Sequence, residues 1–167
     1  MSLDLNDLLR DWPHEPGTLK VRKILGNDGK EKIQLRIDLG LIQMEMTGRP
    51  DGVEPHDCES LLEYHRSKAE RAKKRTENYE LSPEELGEMQ AEGIQYYHRY
   101  IALFQLQDYL GVIRDTQRNL EMFEFRYDEA VQNPQQAARA VNAFLGGRLD
   151  ERAMAAVIDG ELYRNRA

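Results

Sequence analysis

Only one cysteine, Cys58, occurs in the 167 residues. No internal disulfide can form, and no Cys-x-x-Cys pair can grip zinc. A reducing compartment is the simplest setting, so the chain reads as cytoplasmic. No apolar run approaches the roughly 20 residues that a membrane helix needs. The first segment, MSLDLNDLLRDW, places acids where a signal peptide places basic residues. Positive charge is in deficit: 23 Lys and Arg stand against 30 Asp and Glu, a net charge of -7. That balance disfavours unaided binding along nucleic-acid phosphates, an attraction that is mostly electrostatic. Catalytic signatures are missing too. The chain has no Gly-x-Ser-x-Gly elbow, no His-Glu-x-x-His pair and no Walker loop. An enzyme is therefore disfavoured, and no catalytic residue, metal or cofactor is expected.

What is present is a change of periodicity along the chain. Leu3 to Trp12 can form a short amphipathic arm that Pro13 ends. Leu19 and Val21 then alternate with charged residues, and GNDGKE has the chemistry of a hairpin turn. In the next run Ile33, Leu35, Ile37 and Leu39 face one way, and Gln34, Arg36 and Asp38 face the other. After Gly40 the phase shifts: Ile42, Met44 and Met46 are apolar, Gln43 and Glu45 polar. A slip at a glycine predicts a bulge or a sharp turn.

Helical spacing takes over from Asp57 to Thr76, with Leu61, Leu62, His65, Ala69 and Ala72 inward and a basic run over 66–75. Ser82, Pro83 and Glu85 mark the next helix start as a capping box. Its expected buried stripe is Leu86, Met89, Gly93, Tyr97, Tyr100, Ile101 and Phe104. Asp108 caps a further helix whose facing stripe is Tyr109, Val112, Ile113, Thr116, Leu120 and Phe123. The short connection predicts an antiparallel helical hairpin. Asn133-Pro134 opens another helix with Ala138, Val141, Phe144 and Leu145 inward, Gly146-Gly147 stops it, and Asp150 caps a last one containing Met154, Val157 and Ile158.

The expected fold class is α+β. A small antiparallel sheet of two or three strands packs on the helical hairpin, and a helical tail follows. One domain is expected, divided into an arm and β section (1–56), a helical section (57–124) and the tail (125–167).

The candidate binding residues are polar. Gln34, Arg36, Asp38, Gln43 and Glu45 line the polar face of the sheet, with Arg49 and Asp51 at its end. Solvated sheet faces are common and need no function, but Arg, Gln and carboxylate groups on a rigid surface suit a peptide or a polar ligand. Tyr96 is expected to be exposed and, with Arg99, to form a contact hot spot. Tyr97 and Tyr100 are assigned to the core. His56 and Asp57 adjoin Asp51 and Glu54 without the spacing of a metal site. The basic run reads as a solvated face balanced by Glu70 and Glu77.

Two stretches resemble known families. ALFQLQDYLGVIRDTQRNLEMF resembles a tetratricopeptide hairpin and the UVR motif, through Ala102, the turn at Gln107-Asp108, Tyr109 and Ile113. Residues 5–123 as a whole are similar to uncharacterised UVR-motif proteins. The hairpin resemblance implies protein–protein contact, and the wider one implies no established activity. The tail over 125–166 resembles the C-terminal end of bacterial sulfotransferase-like proteins, in which a strand ending in Tyr-Asp/Glu leads to a Pro-started helix and a Phe-Leu-Gly stop. Here these are Tyr127-Asp128-Glu129, Pro134 and Phe144-Leu145-Gly146. The family's phosphate-cradling loop has no counterpart in residues 1–123.

The leading expectation is a non-catalytic interaction or adaptor module with another protein as partner. The alternatives are an inactive sulfotransferase relative lacking the donor loop, and a nucleic-acid accessory protein acting through the basic helix.

Overall fold

The alternation of period two forms a three-stranded antiparallel sheet in the order β1 (Val21–Leu25), β2 (Glu31–Ile37), β3 (Gly40–Glu45). This computed structural model describes residues 4–132, 134–144 and 150–157. The first turn closes through Gly26 N–H donating to the Lys30 carbonyl at 2.8 Å, with Gly29 at φ 75°. The second is tighter. Ile37 pairs with Gly40, so Asp38 and Leu39 are the turn itself. The expected single run from Ile33 to Leu39 is thereby corrected: Leu39 is 91% exposed and Ile37 partly so. The phase shift is a hairpin, not a bulge. Arg36 holds it, its Nη1 donating to the carbonyls of Ile37, Asp38 and Gly40.

One sheet face carries Val21, Ile33, Leu35, Ile42 and Met44 and packs on Ala102, Leu103, Leu106 and Val112. The other face is not simply solvated, as its polarity predicts. Gln34 is buried there. It accepts from Arg22 Nε at 2.8 Å and donates to Gln43 Oε1 at 2.9 Å. The N-terminal arm, containing α1 (Leu5–Leu9), reaches this face through Trp12. The Arg22 guanidinium sits 4.1 Å from the Trp12 ring centre, and Arg36 Nε donates to the Trp12 carbonyl at 2.9 Å.

Helix α2 (Leu61–Lys74) begins later than its composition predicts. His56 and Asp57 take positive φ, 54° and 58°, around the 3-10 turn Pro55–Asp57. A right-handed helix cannot run through them, so Ser60 caps instead. Helix α3 (Pro83–Gln105) has the expected capping box, Ser82 with Glu85. Asp108 Oδ1 accepts from Gly111 N–H at 3.1 Å as α4 (Tyr109–Gln132) starts, and α3 and α4 form the antiparallel hairpin.

The tail departs from the sulfotransferase-like pattern. Residues 127–129 continue α4 as helix where that pattern has a strand. The helical period holds through Phe125, which packs on the cluster around Leu61. Helices α5 (Pro134–Phe144) and α6 (Glu151–Ala156) then pair with each other, α6 capped by Asp150. Ala138 is buried as expected, but Val141, expected inward on α5, is exposed, and Val157 lies exposed in the turn after α6. Leu145, Gly146-Gly147 and Ile158 lie outside the described residues.

Candidate functional site

The hairpin decides what the molecule can present, because the stripe it buries is not the one its hydrophobicity predicts. Along α3 the buried residues include Met89, Glu92, Tyr96, Arg99 and Leu103, at heptad-like spacing. Along α4 they include Asp115, Asn119 and Met122. Tyr96 and Arg99, expected at the surface, are 4% and 0% exposed. Tyr97 and Phe104, expected in the core, are 46% and 61% exposed.

The buried stripe divides the interior into three levels. At one end the sheet meets Ala102 and Leu103. At the other, Leu61, Leu62, Leu81, Met89 and Met122 form a second apolar cluster. Between them lies a charged layer. Arg99 grips Asp115 bidentately, Nε at 2.7 Å and Nη2 at 2.8 Å, and both side chains are fully enclosed. Its remaining Nη1 donates to the Glu45 carbonyl at 3.1 Å. Glu92 accepts from Leu61 N–H at 2.9 Å, lies 3.4 Å from Arg49 Nε and pairs with Arg118. Asn119 Nδ2 donates to the Gly93 carbonyl at 2.9 Å, where the helices approach closely. A Cβ on Gly93 would come within 2.9 Å of Met122 Cε.

The fold therefore brings together five of the sequence-selected residues. Glu45, Arg49, Asp51, Tyr96 and Arg99 surround the loop after β3. Arg49 bonds Asp51 at 3.2 Å, Gln95 donates to Asp51 at 3.1 Å, and Arg114 reaches the Met46 carbonyl at 3.1 Å. Gln34 and Gln43 stay on the outer sheet face, while Arg36 and Asp38 belong to the β2–β3 turn. Beside the loop opens a cleft of about 360 Å³, with Ser60, Arg66, Tyr96, Arg114 and Arg118 among its walls. Burial, with Arg49 and Arg66 nearby, draws the Arg118 guanidinium down to about 10. Burial pushes the Tyr96 hydroxyl up to about 12. Most of the charged side chains here already hold one another: Arg66 with Glu121 at 2.8 Å, Arg114 with Asp115 at 2.9 Å. Such a network fixes geometry more than it offers chemistry. Glu92, Asp115 and Arg118 were not among the residues the sequence singled out. A signal for Glu92 was present: Glu92 and Arg99 each fall about one helical turn from Tyr96, in phase with Met89 and Leu103.

The opposite face of the hairpin is apolar and open. Ile94, Tyr97, Phe104, Tyr109, Ile113, Leu120 and Phe123 are all about half exposed or more. Tyr97 meets Tyr100 edge-on at 5.3 Å, and Phe104 meets Tyr109 at 6.0 Å. Between the helices runs a groove of about 360 Å³ lined by Ile94, Tyr97, Tyr100, Leu120 and Phe123. No group of metal-ligating side chains occurs among the described residues. No helix among them is long and apolar enough to cross a membrane.

No protein family, curated protein or solved structure matches the chain. The resemblance of the hairpin to tetratricopeptide and UVR units, and of the tail to sulfotransferase-like proteins, is one of sequence pattern alone.

Proposed function

We propose that this chain is a non-catalytic protein-interaction module of the cytoplasm, and that its contact surface is the outer face of the α3–α4 hairpin. One observation carries the reading. Seven large apolar side chains stand exposed on two adjacent helices, in a chain with a mean hydropathy of -0.73. Single exposed apolar residues are ordinary, but a contiguous set rimmed by polar groups marks a contact site. The aromatic content of the set, Tyr97, Phe104, Tyr109 and Phe123, matches the residue types that concentrate interface energy. The charged layer behind it makes the surface stiff, which lowers the ordering cost of binding. The lone Cys58 suits a reducing compartment.

Site-specific photocrosslinking in the native host tests this reading. A benzophenone amino acid replaces Tyr97 or Phe123 on the outer face, or Glu70 or Lys73 on the exposed part of α2. Protein adducts from the first pair and not the second are expected. Adducts distributed equally, or absent from the hairpin positions, would sink the proposal.

A further inference from the structure

We infer that the partner on the outer hairpin face is a second copy of the same chain, packed so that two hairpins form a four-helix bundle. The inference rests on the reading of that face as a contact surface and names its occupant.

Area is the first argument. A Phe or Tyr offers about 200 Å², Leu and Ile somewhat less, and roughly half of each is exposed here, so the seven residues present on the order of 650 Å² of largely apolar surface. That lies at the lower end of what each partner contributes to a standard stable interface, roughly 600–1,000 Å². It exceeds the roughly 300–600 Å² of the largest patch on an ordinary monomer.

Charge is the second. Two copies of a chain carrying -7 repel unless they meet on neutral ground. The polar groups interleaved with the apolar stripe are mostly uncharged, Gln90, Gln105, Thr116 and Gln117, and the two charges at its α4 end, Glu124 and Arg126, are of opposite sign. Arg114, Arg118 and Glu121 instead line the charged cleft. Between unlike proteins, an interface is about as apolar as the rest of the surface; homodimer interfaces are more apolar and depleted of charge.

Periodicity is the third. On α3 the outward positions Gln90, Ile94, Tyr97, Ile101 and Phe104 advance by four and three in turn, and on α4 Tyr109, Ile113, Thr116, Leu120 and Phe123 do the same. A 4-3 stripe is the seam that another helix of the same pattern fills, knobs into holes. Two antiparallel helices with equal stripes form a surface that a two-fold rotation can bring onto itself.

Sedimentation equilibrium on the full chain, from low micromolar to near-millimolar concentration, tests the pairing. The variants Leu120→Glu and Ile113→Glu accompany the wild type, with Leu120→Met as the conservative control. Both Glu variants change exposed positions, and far-UV circular dichroism checks that they fold. The expected result is a wild-type dimer, a Leu120→Met dimer, and Glu variants whose dissociation constant rises roughly a hundredfold or more. A wild type that stays monomeric over the whole range overturns the second-copy inference alone, and photocrosslinking then judges the contact surface separately. A dimer that persists unchanged in both folded Glu variants overturns the inference as well, because the copies then meet elsewhere.

Discussion

The two sides of the α3–α4 hairpin reverse the usual arrangement of a soluble helix pair. Its inner side buries Glu92, Arg99, Asp115 and Asn119, and its outer side exposes Tyr97, Phe104, Leu120 and Phe123. Hydrophobic burial alone would turn the pair over. It does not turn because the inner side is already committed at both ends, to the sheet through Leu103 and to α2 through Met89 and Met122. The charges in between are matched by each other, so enclosing them is tolerable. Apolar burial at two ends and charge pairing in the middle together fix which face points out.

Breaking the inner side should have the largest effect. Asp115→Ala leaves Arg99 enclosed without its carboxylate, and should cost about 3–5 kcal/mol in urea denaturation. The double replacement Arg99→Met with Asp115→Leu should cost less than Asp115→Ala, because no bare charge is left behind. If the double variant is the less stable of the two, the layer contributes net stability and not merely geometry.

Changes on the outer side should separate stability from association. Phe123→Ser should weaken dimerisation, yet move the unfolding free energy of the isolated chain by only about 0.5 kcal/mol, as for other exposed positions. A large loss of monomer stability would mean that the outer side serves the fold, and the contrast between the faces would vanish.

Smaller effects sharpen the comparison at its margins. Ser82→Ala removes the cap of α3 that both faces share and should cost about 1 kcal/mol, read from the urea midpoint. His65 gives a pH signature to the α2 side. It is almost fully enclosed, sharing a hydrogen bond of 2.5 Å between its Nδ1 and the Tyr79 hydroxyl. Burial holds it below the usual 6.5, outweighing the raising field of Glu85. The unfolded chain therefore takes up the proton first. The His65 contribution is complete above pH 6.5 and declines as pH falls toward and through the lowered value. Urea midpoints at pH 7 and pH 5 should differ in that sense, and by less in His65→Gln. An equal difference in the variant would assign the effect to carboxylates elsewhere.

Local features were legible in the sequence, and pairings between elements were not. The capping box at Ser82 and the GNDGKE turn are set by neighbouring residues, and each forms as expected, while the period-two run expected from Ile33 to Leu39 forms a strand that ends at Ile37. The failure on α3 has a definite cause. Two stripes one residue apart compete along that helix, and the more apolar one, through Tyr97 and Phe104, looked like the core. What decides for the other is Asp115, which lies 16 residues from Arg99 in sequence and meets it only across the hairpin. No periodicity reports such a partner. The same limit hid Gln34, whose enclosure depends on Arg22, Gln43 and the arm at Trp12. Of the residues selected for binding, Glu45, Arg49, Asp51, Tyr96 and Arg99 meet around the loop after β3, a grouping that periodicity did not reveal, and Tyr96 and Arg99 are enclosed, not exposed.

The bidentate bond between Arg99 and Asp115 also works as a key. Helices lined only with apolar side chains can slide past one another by a turn at small cost. Here a shift of one turn would carry Asp115 away from the guanidinium fork and set Met122 or Val112 against charge. Only one alignment of α3 on α4 lets every buried ion find its counterpart. Because that alignment also spaces Tyr97, Leu120 and Phe123 across the groove, the bond inside the hairpin dictates the pattern that any partner outside it must match.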